Sequence, residues 1–115
     1  MKIIFWATPS YAIPILNSLI KSNHEVVAIV TQPDKRRGRG KSTSASAIKQ
    51  RAQELEIKIF TPNNIRNQIE IQKQIANIQA DLYVVVAFGQ ILPINILNNP
   101  PLGSWNIHAS LLPKW

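Results

Sequence analysis

The sequence predicts an open, mostly parallel, doubly wound α/β sheet, and three observations carry that reading. Apolar runs that are continuous instead of alternating, Val26 to Val30 and Leu82 to Ala87 above all, call for strands covered on both faces. Segments with helical apolar spacing separate these runs. Turn-forming residues such as Thr8-Pro9-Ser10, Ser22-Asn23 and Thr61-Pro62 punctuate the joins. Alternation of this kind packs as a parallel sheet with helices on both faces, and ligands then bind at the carboxyl ends of the strands.

Taken in order, Lys2 to Ala7 is a β-branched and aromatic run closed by Thr8-Pro9-Ser10, which reads as a buried strand feeding a turn. Tyr11, Ile15, Leu16, Leu19 and Ile20 then recur at helical spacing. They predict an amphipathic helix from about Ser10 to Ser22, with Pro14 near its first turn, where proline is least harmful. Val26 to Val30 is the second strand. The polar stretch from Thr31 to Thr43 precedes a helix beginning after Ser44 or Ser46 and running to about Leu55, and a short strand follows over Ile57 to Phe60.

Ile65, Ile69, Ile75 and Ile78 predict one surface helix over 65–78. Asp81 to Ala87 is the clearest buried strand. A short helix over Ile94 to Leu97 leads to a last strand, Ser104 to His108. Four loops should therefore converge: Thr8 to Ser10, Thr31 to Asp34, Phe88 to Gln90, and the residues from Asn106 to Pro113. No internal repeat is present, and only 35–46, rich in Gly, Ser, Arg and Lys, reads as flexible.

Composition narrows the functions. The 115 residues form at most one domain. Without cysteine there is no disulfide framework and no thiolate metal site, and His24 and His108 make no zinc pattern, so no metal is implied. The apolar opening is broken at Thr8 before it reaches membrane-spanning length, which predicts a soluble, cytoplasmic chain with no membrane partner. Net charge is +7, but Lys35, Arg36, Arg37, Arg39 and Lys41 fall within seven positions and the rest of the chain carries only +2. Positive charge gathered in this way suits a phosphate-bearing partner such as a nucleic acid.

The turn after the first strand holds no glycine, so it supplies neither a dinucleotide-binding fingerprint nor a Walker loop. Gly38-Arg39-Gly40-Lys41 lacks the earlier glycine and the preceding strand that a P-loop needs. The residues best equipped for chemistry are Asn106 and His108, two apart on a strand and so on one face. An asparagine amide can donate to a developing oxyanion while a histidine exchanges a proton, as acyl transfer requires. Taken alone, the pair reads more simply as a strand end with a local backbone hydrogen bond and a histidine without a partner.

The segment Asn106-Ile107-His108-Ala109-Ser110-Leu111-Leu112-Pro113 resembles the signature of the folate-dependent formyltransferases. The resemblance extends through Lys2 to Phe5, Thr8-Pro9 with Tyr11-Ala12, Thr31-Gln32-Pro33-Asp34, Gly38-Arg39-Gly40-Lys41, and Val84 to Pro93. It implies an open α/β sheet, 10-formyltetrahydrofolate as formyl donor, and catalytic roles for Asn106 and His108. It also implies a tetrahydrofolate-binding segment at Ser110, Leu111, Leu112 and Pro113, and a pterin-pocket wall from Phe88, Gly89, Ile91 and Leu92. Thr-Gln-Pro-Asp followed by a basic loop is similar to the branch of the family that formylates initiator methionyl-tRNA, with Arg37, Arg39 and Lys41 then facing the tRNA. That branch is expected to be monomeric.

Two departures stand out. The family's opening Gly-Thr-Pro is Ala7-Thr8-Pro9 here, and a Pro-Ser-Pro stretch expected after the basic loop is Ser44-Ala45-Ser46-Ala47. The family pattern also continues beyond Lys114-Trp115 to a catalytic aspartate and a carboxy-terminal tRNA-binding domain. Residues 1–115 are therefore expected to be the amino-terminal part of a catalytic domain, inactive alone. Two other readings stay open at this point: a formyltransferase for a small amine such as glycinamide ribonucleotide, and an RNA-binding remnant without folate chemistry.

Overall fold

A computed structural model of the chain describes residues 1–36 and 43–108. The elements in chain order are strand β1 (Lys2–Ala7), helix α1 (Ile13–Lys21), strands β2 (Glu25–Val30), β3 (Lys35–Arg36) and β4 (Thr43–Ser44), helix α2 (Ala47–Glu54), strand β5 (Lys58–Phe60), helix α3 (Ile69–Asn77), strand β6 (Leu82–Val86), helix α4 (Ile94–Leu97) and strand β7 (Ser104–Asn106). Five strands form one sheet in the order β5-β2-β1-β6-β7, every pair parallel. Chain order thus runs outward from β1 to one edge and then from β6 to the other. The topological switch point lies between β1 and β6, where such folds open a crevice.

The predicted fold class holds because the central strands are apolar on both sides. Five of the six residues of β1 and all five of β6 are buried. Ile3, Phe5, Ala7 and Val84 face α1 and α2 through Leu16, Ile48 and Ala52. Ile4, Trp6, Tyr83 and Val85 face α3 and α4 through Ile75 and Ile96. Trp6 joins the second layer, its ring centroid 5.3 Å from that of Tyr83 and 5.4 Å from that of Phe88, the latter edge-on.

Several boundaries differ from the sequence reading, each for a local reason. The predicted first helix opens as a 3-10 turn over Ser10–Ala12 before α1, with Pro14 in the first two positions of the helix, and Tyr11 is left exposed. Ser46 is the cap of α2, its Oγ accepting from Lys49 N at 3.1 Å. The predicted single helix over 65–78 is a 3-10 turn, Ile65–Asn67, and then α3, parted at Gln68 (φ −104, ψ 79). That break rotates the apolar stripe: Ile69 is 54 % exposed, and Ile71, Ile75 and Ile78 pack inward instead.

The stretch read as flexible contains β3 and β4, which pair antiparallel with Lys35 opposite Ser44 and Arg36 opposite Thr43. Two-residue strands leave no periodicity for sequence patterning to detect. The predicted last strand is shorter than expected, ending at Asn106, although Ile107 N still donates to Val85 O at 2.8 Å.

Candidate active site

Three of the four loops expected to converge are fastened together at the carboxyl end of the sheet. Thr8, directly after β1, donates its Oγ1 hydrogen to Phe88 O at 2.7 Å and accepts from Gln32 N at 3.3 Å. One hydroxyl thereby ties the ends of β1, β2 and β6. The Gln90 carboxamide adds a second knot. It donates to Gln32 Oε1 at 3.1 Å and to Pro62 O at 2.9 Å, and it accepts from Ile65 N at 2.8 Å.

The exit from β6 is conformationally demanding. Ala87 has φ 50, a left-handed conformation that costs a side-chain-bearing residue about 1–2 kcal/mol. The turn leaves Ala87 exposed and drives Phe88 back into the core, 2 % exposed. Gly89 follows with φ 97, the conformation that calls for glycine, and a β-carbon there would also push the end of the Gln32 side chain aside. Non-glycine strain of this kind persists where the surroundings over-determine it, as they do at binding sites.

Beside this exit lies a cavity of about 240 Å³ lined by Val85, Ala87, Phe88, Gln90, Leu92, Leu97, Ser104 and Asn106. Asn106 reaches it from β7, placed by its register opposite Val85, and Ser104 is held by donating its Oγ hydrogen to Leu97 O at 2.7 Å. Of the residues singled out in the sequence, the cavity gathers Asn106, Phe88 and Leu92. Ile91 is 73 % exposed and does not line it, and Gly89 shapes its rim through backbone geometry. His108 is exposed, two residues beyond Asn106 and past the end of β7. Ser110, Leu111, Leu112 and Pro113 lie outside the described residues, as do Arg37, Arg39 and Lys41.

The segment that leads from β2 toward the basic cluster is anchored to α2. Asp34 Oδ2 and Lys49 Nζ are 3.0 Å apart with both side chains about a quarter exposed, a pair worth at most about 1 kcal/mol. Ala7, which stands where the family pattern has glycine, is fully buried on the α1 and α2 face. Among the described residues no cluster of His, Cys, Asp and Glu could hold a metal ion, and no helix is long and apolar enough to cross a membrane.

Sequence reasoning places the loops at one end of the sheet but misses the residues that hold them there. Thr8 and Gln32 sit in motifs that stand out for other reasons. Gln90 likewise sits in one of the converging loops, but the bonds it makes leave no sequence signal, because its partners are 25, 28 and 58 positions away.

All 115 residues match the family model described as Formyl transferase. The chain is 59 % identical over 115 residues to a protein of Prochlorococcus marinus (strain MIT 9211) named methionyl-tRNA formyltransferase, and 56 % identical to proteins of that name from Synechococcus sp. (strain WH7803) and Synechococcus sp. (strain CC9902). Each alignment covers 100 % of this chain and 34 % of the relative, so the chain spans about a third of the length of the curated relatives it matches.

Proposed function

Since this chain belongs to the formyl transferase family, we propose that it supplies the folate-side half of an active site that moves a formyl group from 10-formyltetrahydrofolate to the α-amine of initiator methionyl-tRNA in the cytoplasm. On this reading residues 1–115 are the amino-terminal part of the catalytic domain, and the remaining part of that domain and a carboxy-terminal tRNA-binding domain complete the protein, which acts as a monomer. The observation that carries the reading is the meeting of Asn106 with Phe88 and Leu92 around one cavity beside β6 and β7.

The residues present fit one end of a folate. A pterin is flat, apolar on its faces and rich in hydrogen-bonding groups at its edge. The cavity offers Val85, Phe88, Leu92 and Leu97 as apolar walls and Gln90, Ser104 and Asn106 as polar partners. Its volume lies just below the range of about 300–1,000 Å³ that whole ligands occupy, in keeping with a site for the heterocycle alone. When bound, 10-formyltetrahydrofolate supplies the formyl group to be transferred.

The chain's own residues then have separable tasks. Asn106 Nδ2 donates a hydrogen bond to the oxygen on which negative charge develops, stabilising the transition state more than the ground state. His108, exposed two residues beyond Asn106, takes up at its ring nitrogen the proton that the attacking amine loses and returns it to the folate nitrogen as the bond from that nitrogen to the formyl carbon breaks. Phe88 and Leu92 wall the pterin and Gly89 shapes the rim, with Ser110, Leu111, Leu112 and Pro113 as the folate-binding segment. Arg37, Arg39 and Lys41 meet tRNA phosphates, an interaction that weakens steeply with salt.

Grafting tests the whole proposal. The chain is placed in the Prochlorococcus relative in place of the segment it matches, and formyl transfer to methionyl-tRNA is measured. The chimera is expected to be active, and Asn106→Ala is expected to lower its rate by about 10²–10³-fold. A chimera whose activity ignores both Asn106→Ala and His108→Ala would overturn the assignment. The same chimera separates the small-amine reading, since a mixture of glycinamide ribonucleotide and methionyl-tRNA should yield formyl-methionyl-tRNA alone.

A further inference from the structure

We propose that Gln90 is a positioning residue that couples the wall of the folate-side cleft to the segment that follows β2, so that the cleft wall and the approach to Lys35 are held in one register. The Gln90 side chain is the one described group that bonds to the loops after both β2 and β5 while itself lining the cavity. Its carboxamide commits both its donor hydrogens and its acceptor oxygen to other loops, and none of its three partners is near it in sequence. At the residue before it, Gly89, a β-carbon would meet the Gln32 side-chain amide, so the Gln32 side chain lies directly against this loop.

The chain of contacts is continuous. Phe88 and Gln90 line the cavity. Gln90 holds Gln32, whose backbone N–H is bonded to Thr8. Two residues on, Asp34 is tied to Lys49 of α2 and β3 begins at Lys35. A shift of the loop after β6 on filling the cavity is thus transmitted to Asp34 and the start of β3, and a load applied at that start is transmitted back by the same bonds. Leucine at position 90 would fill the same volume and transmit neither.

What the cleft holds rests on the folate reading, but the coupling can be read without any ligand. Backbone amide hydrogen exchange is measured residue by residue on the 115-residue chain and on Gln90→Leu. The expected result is exchange about tenfold faster at Ile65, which loses its acceptor, and at Gln32, which loses its side-chain anchor, with Phe5 and Val84 in the sheet interior unchanged. Gln90→Glu, with an acceptor oxygen of equal reach, is expected to restore Ile65. Gln32→Leu, a milder change, is expected to speed exchange of the backbone amide at position 32 and leave Ile65 protected.

Equal acceleration throughout the sheet would reduce Gln90 to a general packing residue, and unchanged exchange at Gln32 would remove the coupling. Either result overturns the proposal. A chain that shows the local pattern yet fails to bind a tetrahydrofolate analogue would remove the folate reading and leave the coupling intact.

Discussion

Thr8 and Phe88, eighty residues apart, are joined by a 2.7 Å hydrogen bond from Thr8 Oγ1 to Phe88 O that spans the switch point of the sheet. The same oxygen accepts from Gln32 N. Replacing Thr8 with valine keeps the shape and strands two part-buried backbone groups, which should cost about 1–3 kcal/mol. Urea denaturation of Thr8→Val and Thr8→Ser measures it, and serine should retain most of the stability.

Gly89 is the most constrained position on the rim of the site. A left-handed backbone and the Gln32 amide in the way of a β-carbon predict that Gly89→Ala loses about 1–3 kcal/mol. The loss should fall where the loop after β6 meets Gln32, so Gly89→Ala and Gln32→Ala together should cost less than the sum of the two. Thermal melts of the three variants read this directly.

Much of the architecture was legible because it rests on burial. Val26 to Val30 and Leu82 to Val86 are apolar without alternation since both faces are covered, and the parallel sheet follows from that alone. What escaped was set by backbone geometry that side-chain patterning does not encode. Gln68 breaks one predicted helix into two pieces and turns Ile69 outward. The pairing of β3 with β4 is two residues long. At the site, the cleft-facing positions of Asn106, Phe88 and Leu92 were accessible through the family resemblance, whereas Gln90 and the strain at Ala87 depend on partners distant in the chain.

Two helix ends carry left-handed residues where glycine is usual. After α2, Ile57 N bonds to Ala52 O at 3.0 Å and Glu56 N to Gln53 O at 3.1 Å, a Schellman closure with Glu56 at φ 56. Glu56→Gly should therefore stabilise the chain by about 1 kcal/mol, the reverse of what glycine does inside a helix. Denaturant midpoints at unchanged slope would show it.

Burial pushes the Tyr83 hydroxyl from 10.0 up to about 12, and that hydroxyl donates to Asn99 Oδ1 at 3.0 Å. The folded pKa lies above the unfolded one, so the contribution is fully present below pH 10 and is lost as pH rises from 10 through 12. The loss across that window is of the order of 2–3 kcal/mol. Tyr83→Phe should flatten this part of the stability profile, which denaturation in steps between pH 9 and about 12 would record.

The central claim is that the cavity beside Asn106 receives a folate, and calorimetric titration of the folded chain with a tetrahydrofolate analogue tests it most directly. Saturable binding to a single site, weakened about tenfold or more by Asn106→Ala with the circular-dichroism spectrum unchanged, is the predicted result. A chain that is folded by that same spectrum and takes up no analogue would contradict it.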